Sequence, residues 1–337
     1  MKRSILNLFT VVLLLIAATL SCKKEHVSGI TLEPSLLYFD GVGQTETLTA
    51  IIMPENAANK KVSWESSDNH VATVHNGMVA SISFGKATIT VTTQDGNRTA
   101  KCFVTVYDPS TLPEMIFVEG GTFTMGSTDG ERWDDELPAH LVQLSSFKIS
   151  KYQVTRKLWR YFMNNDPSYN EDDNLPVDNV SWDDAQEFIR KLKTATGKNY
   201  RLPTEAQWEY AARGGNQSKG YKYSGSHNID EVAWHQGNSN GTVHPVGTKE
   251  PNELGIYDMS GNVREWCQDG KRTYTNGLQV DPQVPVDEVA MLRGGCVSIF
   301  QNINNVSYRV STRNGWNHAH GGRPPYYFYG FRLVLPE

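Results

Sequence analysis

Arg201-Leu202-Pro203-Thr204-Glu205-Ala206-Gln207-Trp208-Glu209 is the stretch on which the fold of this chain turns. Continued through Tyr210-Ala211-Ala212-Arg213, it predicts a short helix from Thr204 to Arg213. The helix is entered after Pro203 and stopped by Gly214-Gly215, because glycine accepts the left-handed backbone that closes a helix. Working outward, two other segments carry a helical pattern. Val154 to Met163 is one. Asp183 to Leu192 is the other, capped by Ser181 and carrying acids in its first turn, where they meet the positive end of the helix dipole. From Met115 onward the rest reads as loops and short strands rich in Gly, Trp and Tyr, with seven of the eight tryptophans in this part.

Upstream the pattern changes. Between Gly29 and Tyr107, apolar and polar residues alternate in short runs, as in Thr47-Leu48-Thr49-Ala50-Ile51, Lys61-Val62-Ser63-Trp64 and Ala87-Thr88-Ile89-Thr90-Val91. A period of two, punctuated by Asp40-Gly41, Asn76-Gly77 and Asp95-Gly96, predicts a β-sandwich with Trp64 in its core. Asp108 to Pro113 is a turn-rich linker. The expected organisation is a leader over 1–21, a tether over 22–28, an all-β sandwich over 29–107, a linker over 108–114 and an irregular α+β unit over 115–337. The net charge of -5 and the lack of basic runs give no global attraction to a phosphate backbone, so no nucleic-acid partner is expected.

The segment Val62-Ser63-Trp64-Glu65-Ser66-Ser67-Asp68, followed by Val71-Ala72-Thr73-Val74 and Gly85-Lys86-Ala87-Thr88-Ile89-Thr90-Val91, resembles a bacterial Ig-like domain of group 2, a spacer or adhesion module. A second resemblance covers residues 115 to 335. Gly120-Gly121-Thr122-Phe123-Thr124-Met125-Gly126, Tyr152-Gln153-Val154-Thr155, Pro176-Val177-Asp178-Asn179-Val180-Ser181-Trp182, the Arg201 stretch, Gly261-Asn262-Val263-Arg264-Glu265-Trp266, Arg293-Gly294-Gly295 and Gly330-Phe331-Arg332 are similar to motifs of the formylglycine-generating enzyme, or sulfatase-modifying factor, family. The resemblance implies a helix-poor relative of the C-type lectin fold.

It also implies a test for chemistry. Enzymes of the family oxidise a substrate cysteine at copper held by two cysteines, and soft thiolates suit Cu(I). The matching segment here, Ser298-Ile299-Phe300-Gln301-Asn302-Ile303-Asn304-Asn305-Val306, holds no cysteine, so copper is not expected. Cys296 falls where the family usually has Ser. A formylglycine-generating oxidase acting on sulfatase cysteines is the alternative reading, and a sulfoxide-synthase role would need a helical iron domain that this chain lacks. His318-Ala319-His320 could hold a metal if His235 or His244 converged on it, and no HExxH motif is present. Family members carry a structural calcium near the Gly-Asn-x-x-Glu-Trp motif. The matching positions are Asp258, Gly261, Val263 and Glu265, with oxygen donors of the kind Ca²⁺ takes. A carboxylate pair bonded to loop amides is the other reading of those residues.

The forty residues from Arg293 to Arg332 hold five arginines, eight aromatics and five asparagines, but no Lys, Asp or Glu. That composition suits a recognition surface, and it also suits a buried strand pair. Taken as a surface, it offers Val297, Ile299, Phe300 and Asn302, then Trp316, His318, His320 and Arg323, then Tyr326, Tyr327, Phe328 and Tyr329, to a protein or glycan ligand. Non-catalytic members of the family include retroelement-diversified variable proteins, whose randomised adenine-containing codons yield Asn, Ser, Tyr, His, Phe and similar residues but never Lys or Glu. The frame arginines Arg293, Arg309, Arg313 and Arg332 are expected to brace the fold through carboxylates such as Glu205 and Glu209.

At the N-terminus, Lys2 and Arg3 precede an apolar run from Leu8 to Leu20 and then Ser21-Cys22. The run is shorter than the roughly 20 residues a membrane span needs. It resembles a lipoprotein signal peptide with Cys22 as the lipidated residue, which implies an outer-membrane lipid anchor on the periplasmic or cell-surface side. Of the three remaining cysteines, Cys267 and Cys296 are a possible disulfide and Cys102 reads as a small buried hydrophobe.

Overall fold

The computed structural model describes residues 25–130, 132–298, 306–317 and 328–337; the leader and Cys22 lie outside them. Among the described residues no helix is long and apolar enough to cross a membrane.

The alternating segments form the β layers their period requires. Leu36–Phe39, Thr99–Val106, Gly85–Thr93 and Val62–Ser66 are ordered in one sheet; Thr45–Thr47, Met78–Ser81 and Ala72–His75 form another, and Gly29–Glu33 pairs with Thr49–Met53. In Gly85–Thr93, the alternate residues Ala87, Ile89, Val91 and Thr93 are all buried. The side chains of Ala87, Ile89 and Val91 join Val104, Val106, Leu48 and Val79 in one core. Asn76 and Gly77, at φ 50° and 85°, make the two-residue turn between Ala72–His75 and Met78–Ser81. A Cβ on Gly77 would lie 2.7 Å from the Leu48 carbonyl oxygen. Trp64 is half-buried rather than central: its ring covers the Gly77 turn, because its strand is at the sheet edge. Cys102 is fully buried as expected, and burial pushes its thiol up to about 11.

The second unit has three helices that matter for the site. α1 (Arg156–Phe162) is capped by Thr155, α2 (Trp182–Thr196) by Ser181 and α3 (Glu205–Ala212) by Thr204. In α2 and α3 the cap is reciprocal, with Asp184 and Gln207 reaching back to the capping residue. Gly197, at φ 67°, closes α2. α2 is amphipathic and buries Ala185, Phe188, Ile189 and Leu192 against α1, where Trp159 stacks on Phe188 at 5.5 Å between ring centroids. α3 differs, since all eight of its residues are buried. Its acids Glu205 and Glu209 are therefore inside the protein, and an unpaired charge there would cost far more than the helix gains.

Behind α3 runs a four-stranded sheet made of β1 (Arg264–Gly270), β2 (Val289–Arg293), β3 (Arg313–Asn317) and β4 (Tyr329–Gly330), in the order β3-β2-β1-β4. The first unit sits directly on the second. Tyr38 and Tyr107 pack on Phe162 at 6.2 and 5.5 Å, and the Lys86 ammonium donates to the carbonyl oxygen of Met163. Burial at this junction, with Lys191 nearby, lowers Lys86 to about 8.

Asp178, in the turn before α2, is 3% exposed, and burial raises its carboxyl to about 6. A folded-state value above the unfolded one means the fold takes up a proton. Its contribution to stability is therefore fully present below about 3.8 and lost as pH rises through about 6. Asp178→Asn should raise the melting temperature at pH 8 and leave it nearly unchanged at pH 4. The gain at pH 8 should be on the order of 2–3 kcal/mol, read from denaturation curves at the two pH values.

Candidate functional site

The frame arginines brace the fold through carboxylates, as expected. Arg293 is buried and donates to Glu205 at 3.1 Å and to Glu209 at 2.8 Å, while Arg313 grips Glu205 with two bonds at 2.7 and 2.8 Å. The other two use different acids. Arg309 forks onto Glu136 at 2.6 and 3.1 Å, and Arg332 onto Glu265 at 2.6 and 2.8 Å. All four guanidiniums are at most 2% exposed.

This explains much of the missing Lys, Asp and Glu. Arg293 to Ser298, Tyr308 to Arg313 and Tyr329 to Val334 are interior, so the described parts of the stretch are mostly core rather than surface. Two positions expected on the ligand face are corrected accordingly. Val297 is fully buried against Leu175, Val243 and Val263, and Tyr329 is 1% exposed, edge-on to Trp266 at 5.6 Å. Tyr329 points inward because its strand is paired to β1, whose Trp266 lies in the core. Phe328 is half-buried and Trp316 is 38% exposed at the end of β3. Ile299, Phe300, Asn302, His318, His320, Arg323, Tyr326 and Tyr327 lie outside the described residues.

The Arg293-Gly294-Gly295 motif has a plain backbone cause. Gly294 and Gly295 are both left-handed, at φ 95° and 72°. A Cβ on Gly295 would stand 2.6 Å from the Tyr308 ring and 2.8 Å from the Ser307 carbonyl oxygen. Gly295→Ala should cost at least about 2 kcal/mol, measurable by urea titration.

Cys267 and Cys296 are both free and fully buried, so the expected disulfide is not formed. Cys267 belongs to the core beneath α3, whereas Cys296 follows the Gly294-Gly295 bend and its carbonyl takes the Tyr308 hydroxyl. Burial raises both thiols, Cys267 well above its ordinary value, so neither is an activated thiolate. The histidines proposed as partners of His318 and His320 have other roles. His235 bonds Asp230 at 2.8 Å, and His244 stacks on Trp234 at 3.7 Å with its ring nitrogen 3.0 Å from the Ser239 carbonyl oxygen. Among the described residues no cluster of three or more His, Cys, Asp or Glu is arranged to hold a metal.

The Asp258–Glu265 loop is a different kind of site, built mainly from backbone. Asp258, Gly261 and Asn262 are left-handed at φ 58°, 91° and 60°, which turns several carbonyl groups to one side. Gln153, quoted in the sequence only as part of a motif, reaches into the loop. Its Nε2 donates toward Glu265 Oε1 at 2.9 Å and the carbonyl oxygens of Val263 at 3.0, Asp258 at 3.3 and Gly261 at 3.5 Å. Asp258 accepts from Gly247 N–H through Oδ2, while its Oδ1 is buried with no partner among the described residues. Converging hard oxygens and an orphaned carboxylate oxygen are a donor set that suits Ca²⁺. A polar cavity of about 400 Å³ also opens beside Arg309, Val310 and Ser311, with Arg213, Lys222 and His227 on its other walls.

Comparison with known proteins agrees with this geometry. The sulfatase-modifying factor enzyme 1-like domain matches residues 104–336, and the bacterial Ig-like domain (group 2) matches residues 27–104. Chaperone protein LppX of Paenibacillus barcinonensis is 35% identical over 246 residues, covering 58% of this chain and 82% of its own. The formylglycine-generating enzyme of Thermomonospora curvata is 28% identical over 270 residues, covering 59% of this chain and 87% of that enzyme. Among solved structures, Treponema denticola variable protein 1 superposes with a TM-score of 0.58 at 27% identity, over 66% of this chain and 95% of that protein. With the family match spanning most of the chain and the buried frame of arginines and glycines in place, this protein belongs to the sulfatase-modifying factor enzyme 1-like family, with a group 2 bacterial Ig-like domain in front of it.

Proposed function

We propose that the chain is a lipid-anchored envelope protein whose C-terminal domain binds a protein or glycan ligand and does not oxidise cysteine. One observation carries this reading. The scaffold of the family is kept, down to four buried ion-paired arginines, while the segment Ser298 to Val306 contains no cysteine and the nearby thiols are buried and raised. A relative named as a chaperone favours a protein ligand, and a structural relative named as a variable protein accords with a diversified C-terminal segment. Exposed Trp316, with Tyr326 and Tyr327, supplies stiff amphipathic contact area of the kind paratopes use. A structural Ca²⁺ held by Asp258, Gly261, Val263 and Glu265 would fix the Asp258–Glu265 loop.

Three measurements test the proposal. With copper and a cysteine-containing sulfatase peptide, the purified chain should consume no oxygen; consumption that disappears in Cys296→Ser would establish the oxidase instead. On glycan and envelope-protein arrays, replacing Trp316, Tyr326 and Tyr327 with Ala should abolish capture while the melting temperature moves by no more than a degree or two. A large loss of stability would assign those side chains to the core. Palmitate labelling in cells should be lost in Cys22→Ser, and labelling that persists would remove the anchor.

A further inference from the structure

The polar cavity beside Arg309 has a lining that the reading above leaves unused. Three separate segments wall it, within 124–129, 220–227 and 309–311, and it encloses about 400 Å³. These walls are fixed to one another by the fold itself. Val310 N–H donates to the Lys222 carbonyl oxygen at 3.2 Å, Arg309 forks onto Glu136, and Gly126 N–H donates to Glu209 at 2.9 Å. Gly126 is left-handed at φ 92°, and a Cβ there would lie 2.4 Å from the Glu136 carbonyl oxygen, so this wall leaves no room for a side chain at that position. A cavity formed in advance keeps the ordering cost of binding low.

The lining also has a sign. It presents Arg213, Lys222 and Arg309 as fixed cations, with His227, against one acid, Asp129. Arg309 is matched behind the wall by Glu136, but Arg213 shares Glu209 with Arg293, so Glu205 and Glu209 together answer three guanidiniums. The Arg213 side chain is 23% exposed and commits Nε and Nη2 to Glu209 and the Gly126 carbonyl, which leaves Nη1 for the cavity. The buried hydroxyls of Ser127 and Ser311 each accept one bond, from Asp129 N–H at 3.3 Å and from Arg309 Nη1 at 3.2 Å, so each keeps its own hydrogen to donate. Tyr221, met edge-on by His227 at 5.2 Å, adds one flat apolar ring. Cations, hydroxyls that both give and take, and a single ring suit a charged sugar; a bare inorganic anion would use neither the ring nor the volume. We propose that this cavity binds an anionic pyranose, its carboxylate or sulfate ester answered by Arg213 and Lys222, its hydroxyls by Ser127 and Ser311, and its ring by Tyr221. Among the described residues the lining shares no residue with the ligand face proposed above, so this second site does not depend on that reading.

The test uses the purified full chain, titrated calorimetrically and melted with glucuronate, glucose 6-sulfate, glucose and sodium sulfate as probes. Glucuronate or glucose 6-sulfate should bind below about 10 mM, and the tighter of the two names the acid group. Glucose and sodium sulfate should each bind at least about tenfold more weakly than that sugar, because each lacks half of what the lining recognises. Lys222→Gln and Tyr221→Ala, both at half-buried positions, should keep the parent melting temperature without ligand and each weaken the charged sugar by about tenfold. Arg213 and Arg309 stay unchanged in the test, since their bonds to Glu209 and Glu136 hold the fold. Sodium sulfate binding as tightly as glucose 6-sulfate would make this an inorganic anion site, and glucose binding as tightly as glucuronate would make the charge irrelevant. Either result overturns the proposal. So does wild-type affinity in both variants, or the absence of heat and of any rise in melting temperature with every probe at about 10 mM.

Discussion

Glu205→Gln should destabilise the C-terminal domain by about 3–5 kcal/mol, enough to unfold it where the parent chain is stable. Glu205 is wholly buried and accepts from Arg293 and from both arms of Arg313. Burial pushes its carboxyl up, but Arg293 and then Arg313 outweigh that and hold it below the ordinary value. The depressed value sets the sign of the pH effect. Stability from Glu205 is present above about 4.5 and lost as pH falls through the folded-state value, so the wild type should weaken in acid and Glu205→Gln should lose that part of the slope. Removing the acid leaves two interior guanidiniums competing for Glu209, Tyr274 and a few carbonyls. Replacing Glu205, Arg293 and Arg313 together with Met should recover part of the loss, since a buried pair is costly mainly when only one partner remains. If Glu205→Gln melts within a degree or two of the parent at pH 7, the cluster is not what holds β2, β3 and α3 together.

The second large effect is expected in Phe188→Ala. Phe188 is fully buried, stacked on Trp159 at 5.5 Å and met edge-on by Phe162 at 5.8 and Phe331 at 5.4 Å. Four interlocked rings cannot close over the space one of them leaves, so the loss should be about 3–5 kcal/mol by urea denaturation. Phe162 also carries Tyr38 and Tyr107 from the Ig-like domain. The same variant should therefore make the linker between the domains more sensitive to protease. Protease resistance equal to that of the parent would show that the Ig-like domain is seated independently of this cluster.

Local features were readable residue by residue. Ser181 caps its helix, Gly214 follows the end of α3, and the Asn76-Gly77 turn closes its hairpin, because each depends on the backbone of a few neighbouring residues. Arg293, Arg309, Arg313 and Arg332 were readable as braces of the fold. Glu205 and Glu209 were readable as partners of that frame, but Glu136 and Glu265 were not. Arg309 and Glu136 are 173 residues apart and Arg332 and Glu265 are 67 apart, and the sequence contains many acids that either arginine could have met. Gln153 passed as part of a motif because nothing in its neighbours shows that three backbone carbonyls will be turned toward it.

The C-terminal stretch shows where the boundary falls. Composition alone determined that it would contain almost no charge other than arginine and that no thiol pair could hold copper between Ser298 and Val306. Burial and interface both exclude Lys, Asp and Glu, because each removes water from the charge, so composition could not separate them. Only the tertiary structure did. Pairing with β1 turns Tyr329 into the core and packing against Leu175 and Val263 hides Val297, while the end of β3 leaves Trp316 partly exposed, edge-on to Tyr329. Which side of a strand faces water is a property of what lies across it, and that is decided by the chain as a whole.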